Sequence, residues 1–426
     1  MPCPRGALAL LLVAPALVAR AQDGREDVFP LARDPVYAAL LAEVETRNPE
    51  VQAASAAIAA AKARVPQASA LPDPELTVGY EYGGRGLGPG TDDDTGLKLG
   101  FAQAFPGSGK RGLRAAVAER ETNETEHTLH RARVEVTYRL RRAFADLLLA
   151  RENLALVEDQ RRATRDIEEL TRSRYAVGLA QQSDVLRAQA ELARLEQMRY
   201  HEEGLVGSAI AELNRIVARP AATPVGDTPR LRELDVTVVR VPALEEATAG
   251  LEARSAAFLA AHAMVERARA ERDLASKEQG PDFLARATYL HRGSMPPMAT
   301  ADLGIMLPLY KGTKQKQALA EAEARLLAGE RSAEAMRLRA RSAVEKARFD
   351  LEAAVREAEA YSKGVLAVDA LAVESALASF QAGKSPFVAV LEAHNTLYRD
   401  RWRHAELLFH VLWHSASLDA LGVVMD

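Results

Sequence analysis

The sequence is poor in cysteine, in aromatic residues and in excess charge of either sign. Of its 426 residues one is cysteine, Cys3, aromatic residues make up 5%, and the formal net charge is −4. A single thiol excludes an intrachain disulfide and a cysteine-based metal site. Near-neutral charge argues against nucleic acid as the main partner, because such binding usually needs a concentrated basic face. No uninterrupted run of about 18 apolar residues follows the N-terminal segment, so we expect no membrane-spanning helix.

Alanine, by contrast, makes up about a fifth of the chain, well above ordinary usage. Alanine favours helices and lets them approach closely, but each residue buries little area. We therefore expect long packed helices rather than a large globular core. The sequence contains no G-x-S-x-G, H-E-x-x-H or complete phosphate-loop motif, although residues 107–111 (GSGKR) resemble part of the last. We predict that the protein is not an enzyme and needs no cofactor.

The N-terminus has the pattern of a secretory signal. Arg5 supplies a positive charge, residues 7–18 form an apolar stretch too short to span a bilayer, and residues 19–21 (ARA) form a cleavage site. We predict a signal peptide over residues 1–21 and an exported mature chain. Cys3 lies within the signal peptide, so the mature chain has no thiol.

The remainder of the chain repeats itself at an offset of about 205 residues. Pro74-Glu75-Leu76 aligns with Pro281-Asp282-Phe283, for example, and residues 175–178 (YAVG) align with residues 380–383 (FQAG). We predict a first structural repeat over residues 22–218, a proline-rich connector over 219–243 and a second repeat over 244–426.

Each repeat carries two runs in which apolar and polar residues alternate. The runs cover residues 76–82, 97–105, 283–289 and 301–307. Their length suits transmembrane β-strands, and the second face carries charges such as Lys98 and Arg286, which suit a water-filled lumen. Four strands cannot close a barrel, and lipid tolerates no open sheet edge, so several copies would have to share one barrel. A small soluble β-subdomain is the alternative.

Each repeat also carries a long helical pattern, over residues 110–176 and about 314–381. At 1.5 Å per residue, each helix would extend for roughly 100 Å. Alanine-rich heptad seams predict packing on two sides, and Gly329 and Gly364 predict local bends. Shorter helices over about 49–70, 184–218, 255–277 and 387–415 would stack end to end beside them. We expect the returning helices to begin at Ser183 or Asp184 and at Ser385.

These features together resemble the TolC family of outer-membrane efflux proteins. The most specific matches are residues 174–178 (RYAVG) with 183–186 (SDVL), and residues 380–383 (FQAG) with 390–391 (VL). The resemblance implies an α+β membrane protein: a helical coiled-coil barrel below a trimeric 12-stranded β-barrel to which each protomer gives four strands. It also implies an outer-membrane location reaching into the periplasm, a periplasmic membrane-fusion adaptor and an inner-membrane pump, most often of the RND type.

The same resemblance implies roles for particular residues. The rod ends would contact the adaptor, and acidic residues just beyond them, Asp184 and Glu392, would line the periplasmic entrance. The predicted adaptor contacts are Val177, Gly178, Leu179, Ala382, Gly383 and Lys384.

The cargo is the least constrained prediction. Residues 103–111 (QAFPGSGKR) resemble the strand-to-helix junction of heavy-metal export components, of the copper-silver and cobalt-zinc-cadmium kinds. His410 and His414 lie one helical turn apart and could share a metal, but they have no acidic or cysteine partner at matching spacing. His291, Met295 and Met298 lie in or beside a predicted outer loop over residues 292–300, which is either a soft-metal exit site or a flexible loop. The main alternative function is a secreted periplasmic coiled-coil scaffold or adaptor without a membrane barrel.

Overall fold

The computed structural model describes residues 28–84, 87–88 and 94–420; the predicted signal peptide lies outside the described residues. The helices and strands of the first half are α1 (Pro35–Arg47), α2 (Pro49–Ser69), β1 (Glu75–Glu81), β2 (Gly96–Phe105), α3 (Lys110–Ala176) and α4 (Gln182–Ile216). Those of the second half are α5 (Leu244–Thr248), α6 (Leu251–Arg254), α7 (Ala256–Lys277), β3 (Asp282–His291), β4 (Met298–Met306), α8 (Gln315–Ala360), α9 (Leu366–Gln381) and α10 (Phe387–Asp419).

Two long rods dominate the structure, as the sequence predicts. The first rod is α3, and the second is the continuous segment Gln315–Gln381, which is α8 and α9 joined by a π-helical turn; each has 67 residues. The π-helical turn, Tyr361–Val365, contains Gly364, so the predicted irregularity occurs there. At Gly329, where a bend was also predicted, the α-helical hydrogen bonding is uninterrupted, because α8 continues through that residue.

The two rods differ in how many helices cover them. The first rod packs mainly against four shorter helices: α2, α4, α7 and α10. The second rod packs mainly against α7 and α10, which lie between the rods. Both predicted seams are buried where they meet these helices, for example at Leu147 of the first rod and Leu351 of the second. The connector between the halves is extended apart from two short 3₁₀ turns, and Arg151 of α3 binds the carbonyl oxygens of Val225 and Gly226.

The second rod is one described helix whose length and composition would suit a membrane span. By these two criteria alone Gln315–Gln381 could cross a membrane, and only 6% of its most apolar window is buried. Exposed apolar side chains such as Val368 and Leu371 mark this face of the rod as one that a single chain leaves uncovered.

The four strands form one antiparallel sheet in the order β1-β2-β3-β4. Leu99 of β2 faces Val78 of β1 and Tyr289 of β3, so apolar side chains of neighbouring strands share one face. The predicted strands are confirmed to within a few residues. The second predicted loop is shorter than expected, because β4 begins at Met298 rather than at residue 301.

Candidate functional site: the sheet and the helical tip

The two faces of the sheet differ sharply in chemistry. The outer face is apolar and exposed in a single chain, with Leu76, Val78, Phe101 and Ile305 among its residues. The opposite face is concave and lines a cavity of about 410 Å³. Its charged and hydroxyl side chains are those of Glu75, Thr77, Glu81, Lys98, Arg286, Thr288, Thr300 and Asp302. Lys98 and Glu81 form an ion pair across β1 and β2 at 3.3 Å. An apolar outside and a polar inside are what a transmembrane strand requires when it surrounds an aqueous lumen.

The sheet has two open edges in a single chain. The outer edges of β1 and β4 have no neighbouring strand among the described residues. An unpaired row of N–H and C=O groups at membrane depth would be very unfavourable, because lipid offers no hydrogen-bond partner. The sheet therefore needs further strands to be stable in a bilayer.

The QAFPGSGKR motif forms the junction between β2 and the first rod, and its contacts are structural. Lys110 is 4% exposed, and its Nζ lies 2.7 Å from Oδ1 of Asp282 and 2.9 Å from the carbonyl oxygen of Gly280. The Gly107 N–H donates to the same Asp282 oxygen at 2.7 Å. The start of the first rod is thereby fixed to the start of β3.

The tips of the two rods have the same backbone geometry. In the first turn the N–H groups of Gly178 and Leu179 donate to the carbonyl oxygens of Tyr175 and Arg174, at 2.9 and 2.8 Å. The second turn repeats this arrangement at Gly383 and Lys384, which donate to Phe380 and Ser379. Both glycines have positive φ, +75° and +73°, which favours glycine at the end of a helix.

The two tips are also tied to each other. Nη1 of Arg174, on the first rod, donates to the carbonyl oxygen of Gln381 at 2.8 Å, and the guanidinium lies 4.8 Å from the ring centre of Phe380. Phe380 packs in turn on Phe387, with ring centres 6.0 Å apart. The two rings belong to a small buried core that also contains Ile167, Ala188 and Val390. The tip is thus a single packed unit.

The predicted adaptor contacts lie on the outside of this unit. Val177 is 69% exposed and Leu179 is 65% exposed, although both are large apolar residues. In the second turn Ala382, Gly383 and Lys384 are exposed as well. The two turns therefore present an apolar surface and a basic one side by side, at the end of the rods.

The predicted N-caps of the returning helices are wrong by one to three residues. The N-cap of α4 is Gln181, and Asp184 is the third helical residue, whose carboxylate accepts the Gln181 N–H at 3.3 Å. The N-cap of α10 is Pro386 rather than Ser385. A side chain three residues into a helix can satisfy the N-cap N–H, so the acidic residue was found but its position was misassigned. Asp184 is half-buried and Glu392 is exposed.

The histidine pair of α10 and the turn that carries Met295 lie in different parts of the structure. Among the described residues, no group of three or more His, Cys, Asp or Glu side chains could hold a metal ion. His291 ends β3 and Met298 begins β4, so Met295 is the only one of the three in the turn itself. The rings of His410 and His414 stack, with centres 6.0 Å apart.

Sequence reasoning did not reveal how the polar side chains behind the tip are packed. His394 is 2% exposed and neither ring nitrogen has a hydrogen-bond partner. Burial, together with the charge of Arg401, lowers the pKa of His394 to about 4, so this imidazole is neutral at physiological pH. Further from the tip along α10, the Tyr361 hydroxyl donates to Asp400 at 2.7 Å; burial and this carboxylate raise the pKa of Tyr361 to about 12. Tyr361 opens the π-helical turn, a feature that a heptad pattern does not reveal.

Comparisons with known proteins agree with this architecture. The model of the family described as outer membrane efflux protein matches residues 40–218 and 250–421. Outer membrane protein TolC of Vibrio cholerae serotype O1 is 24% identical over 343 residues, which cover 77% of this chain and 76% of that protein. Among solved structures, the outer-membrane channel OprN superposes with a TM-score of 0.78 at 18% identity, covering 93% of this chain and 92% of OprN. VceC of Vibrio cholerae superposes with a TM-score of 0.76 at 20% identity, covering 93% and 98% of the two chains.

A sheet with a lipid-type face continued by helical rods defines a channel subunit of the outer membrane. The chain belongs to the outer membrane efflux protein family, whose model matches most of its length. It is an outer-membrane channel component of an efflux system, with the fold of the solved channels, and it is not an enzyme. The predictions of family, fold class, location and non-enzymatic function are thus confirmed, and the periplasmic scaffold is not favoured.

Proposed function

We propose that three copies of this chain assemble into one passive exit duct across the outer membrane. The observation that carries this proposal is the sheet, which has an apolar outer face, a charged inner face and two open edges. Pairing β4 of each copy with β1 of the next would close twelve strands and satisfy every edge. An even strand number is typical of bacterial outer-membrane barrels.

The uncovered faces of the rods support the same assembly. The second rod exposes Leu338, Phe349, Val368 and Leu371, and α4 exposes Leu186, Tyr200 and Leu205. Exposed apolar surface of this extent is a mark of an interaction site. Placing α8 and α9 of one copy against α2 and α4 of the next would give the second rod the same number of neighbours as the first.

The mass of the mature protein in detergent tests this proposal. Protein extracted from isolated outer membranes should scatter light as a trimer, and it should precipitate or aggregate when detergent is removed. A soluble monomer or dimer without detergent would overturn the shared barrel and favour the periplasmic scaffold.

We propose further that the two rod ends form the docking surface for a periplasmic membrane-fusion adaptor, which links the duct to an inner-membrane pump, most often of the RND type. Support comes from Val177 and Leu179, whose large apolar side chains are exposed on the first tip turn. A photo-reactive residue placed at Val177 in living cells should cross-link to an adaptor. The same residue at Val238, which is exposed on the connector, is the matched control. Labelling at Val238 but not at Val177 would contradict the assignment.

The entrance beside this surface is proposed to be lined by acidic residues. Asp184 and Glu392 each follow one of the tip turns by a few residues. In a trimer they would supply up to six carboxylates near one opening, which would attract cations and repel anions. The duct itself performs no chemistry, so the pump would supply the energy. Heavy-metal cations as cargo stay a prediction that rests on the QAFPGSGKR motif.

A further inference from the structure

The start of the first rod packs closely on the start of β3, whereas the start of the second rod has no such contact within the chain. At the start of the first rod, Gly107 approaches the backbone of Pro281 so closely that an added Cβ would lie 2.3 Å from the Pro281 carbonyl oxygen. Three residues later, Lys110 begins the helix and binds Asp282 at 2.7 Å. A glycine, a helix-start residue, a proline and an acid together fix one rod to the strand beside it.

The second rod begins with the same spacing. Gln315 is its first residue, as Lys110 is in the first rod, and Gly312 lies three residues before it, as Gly107 does. The start of β1 likewise matches the start of β3, because Pro74-Glu75 occupies the place of Pro281-Asp282. The chain therefore carries a similar glycine and helix start, on a connection of eight residues (307–314) where the first junction has four (106–109), and a similar strand start at Pro74-Glu75.

The start of the second rod and the start of β1 do not meet within one chain. In contrast to Gly107, a Cβ added at Gly312 would have no atom of the described residues within 4 Å. The sheet order places β1 and β4 at opposite edges, so Glu75 and the start of the second rod are separated by the two central strands. The exposed Lys311, Lys314 and Lys316 form no ion pair with any described residue, and neither do the exposed Asp73 and Glu75.

We propose that the start of the second rod of one copy docks on the start of β1 of the next copy, in the geometry that Gly107 and Lys110 adopt on Pro281 and Asp282. The inference rests on the proposed trimer and adds which residues meet. Gly312 packs against the Pro74 carbonyl of the neighbouring copy, and Gln315, supported by Lys314, binds Glu75 of that copy. The occupant is a second copy of this chain, since its β1 start carries the complementary acids.

Charge and shape both favour this pairing. Lys311, Lys314 and Lys316 give three positive charges at one surface, and Asp73 and Glu75 give two negative charges at the other. Opposite charges on two surfaces steer the encounter and fix which surfaces meet. The Oε1 atom of Gln315 is buried and has no hydrogen-bond partner among the described residues, so the amide has hydrogen-bonding capacity left for a neighbouring copy.

Site-directed cross-linking tests the contact directly, because the mature chain is predicted to lack cysteine. Two single variants, Lys314→Cys and Glu75→Cys, would be produced together with different affinity tags and treated with a short bismaleimide. We expect a covalent dimer that carries both tags. The matched control pairs Lys314→Cys with Asp94→Cys, which lies beyond the far end of β1 and β2, and we expect no dimer from it.

The native mass of the same samples separates this inference from the proposed assembly. A trimer in detergent with no cross-link between positions 314 and 75 would overturn the docking geometry and leave the shared barrel standing. A monomer in detergent would overturn both. A cross-link of equal yield in the control pair would also count against the inference, since it would indicate non-specific proximity.

Charge reversal provides a second, independent readout. Glu75→Lys should raise the monomer fraction several-fold, because it places a positive charge opposite Lys314. Adding Lys314→Glu in the same chain should restore the trimer. Failure of the double variant to restore assembly, while Glu75→Gln assembles normally, would contradict a direct contact.

Discussion

The first and second rods have the same length and the same tip geometry, but one chain completes only the first. The first rod packs against helices α2, α4, α7 and α10, and its middle is buried on several sides, with Phe144, Leu147 and Leu148 fully enclosed. The second rod shares α7 and α10 and presents a long exposed face. The same contrast recurs at the two junctions, where Lys110 is buried against Asp282 and Lys314, next to Gln315, is exposed without an ion pair among the described residues.

This difference teaches that the internal repeat could serve as a geometric template for the proposed trimer. Within the chain, the first rod and its start are covered by helices and strands of both halves. The second rod and its start have a similar geometry, but the chain leaves much of their surface uncovered. Two halves with the same architecture can alternate around a closed ring only if the second half of one copy meets the first half of another. Matched residues in the two halves can therefore break or sharpen the comparison.

The largest contrast is expected between a buried leucine of the first rod and an exposed leucine of the second. Leu147→Ala removes a side chain that is fully buried within one chain and should lower the free energy of unfolding by about 4 kcal/mol, through lost burial and a residual cavity. Leu371, which is 64% exposed, should tolerate the same change in the chain and weaken only association. Urea unfolding in detergent and light scattering measure the two effects. If Leu371→Ala lowered the free energy of unfolding as much as Leu147→Ala, the expected difference in burial between the two positions would be contradicted.

The buried histidine behind the second tip predicts an acid-dependent weakness. Burial lowers the pKa of His394 to about 4, below its value of about 6.5 in an unfolded chain. The folded state holds the neutral form, so its contribution is complete above about pH 6.5 and is lost as the pH falls toward 4. The lowered pKa corresponds to about 3 kcal/mol. His394→Leu should flatten this dependence of thermal unfolding, whereas His410→Leu should leave it in place. An unchanged acid slope in His394→Leu would refute the assignment.

The two junctions should respond differently to loss of their lysines. Lys110→Met leaves the partly exposed Asp282 without its cation and should lower the free energy of unfolding by about 2 kcal/mol, below the usual range for a buried pair because Asp282 remains solvated. Lys314→Met should not change the stability of the isolated chain. It should increase the monomer fraction, which sedimentation in detergent can measure. A larger loss of chain stability from Lys314→Met would contradict the comparison.

The smallest effects on stability are expected at the two entrance acids. Glu392→Gln should change chain stability by less than about 0.5 kcal/mol, because Glu392 is exposed. Asp184→Asn should cost slightly more, since its carboxylate accepts the Gln181 N–H. Single-channel recordings should show weaker cation preference or cation block in both variants. Unchanged conductance, selectivity and block in Glu392→Gln would remove Glu392 from the entrance.

Much of the fold could be predicted because its signals are local and periodic. The alternation around Leu99 indicated the strands, and the heptad spacing through Leu147 indicated a rod whose ends at Lys110 and Ala176 match the structure. The N-caps were misplaced because Ser, Asp and Pro all favour the first turn, and only backbone geometry distinguishes Gln181 from Asp184. The loop estimate failed at Met298 because strand pairing with Leu290 extends β4 beyond its own alternating pattern.

The sequence by itself determined the elements, their order, their apolar faces and the family resemblance, because these depend on residue spacing along a helix or strand. Only the tertiary structure decided which surfaces remain uncovered and which polar groups are buried. The Lys110–Asp282 contact, the Arg174 link between the tips and the unpartnered His394 all depend on residues far apart in the chain or on different helices. Such contacts are set by how the helices pack in three dimensions, and no periodicity along the chain encodes them.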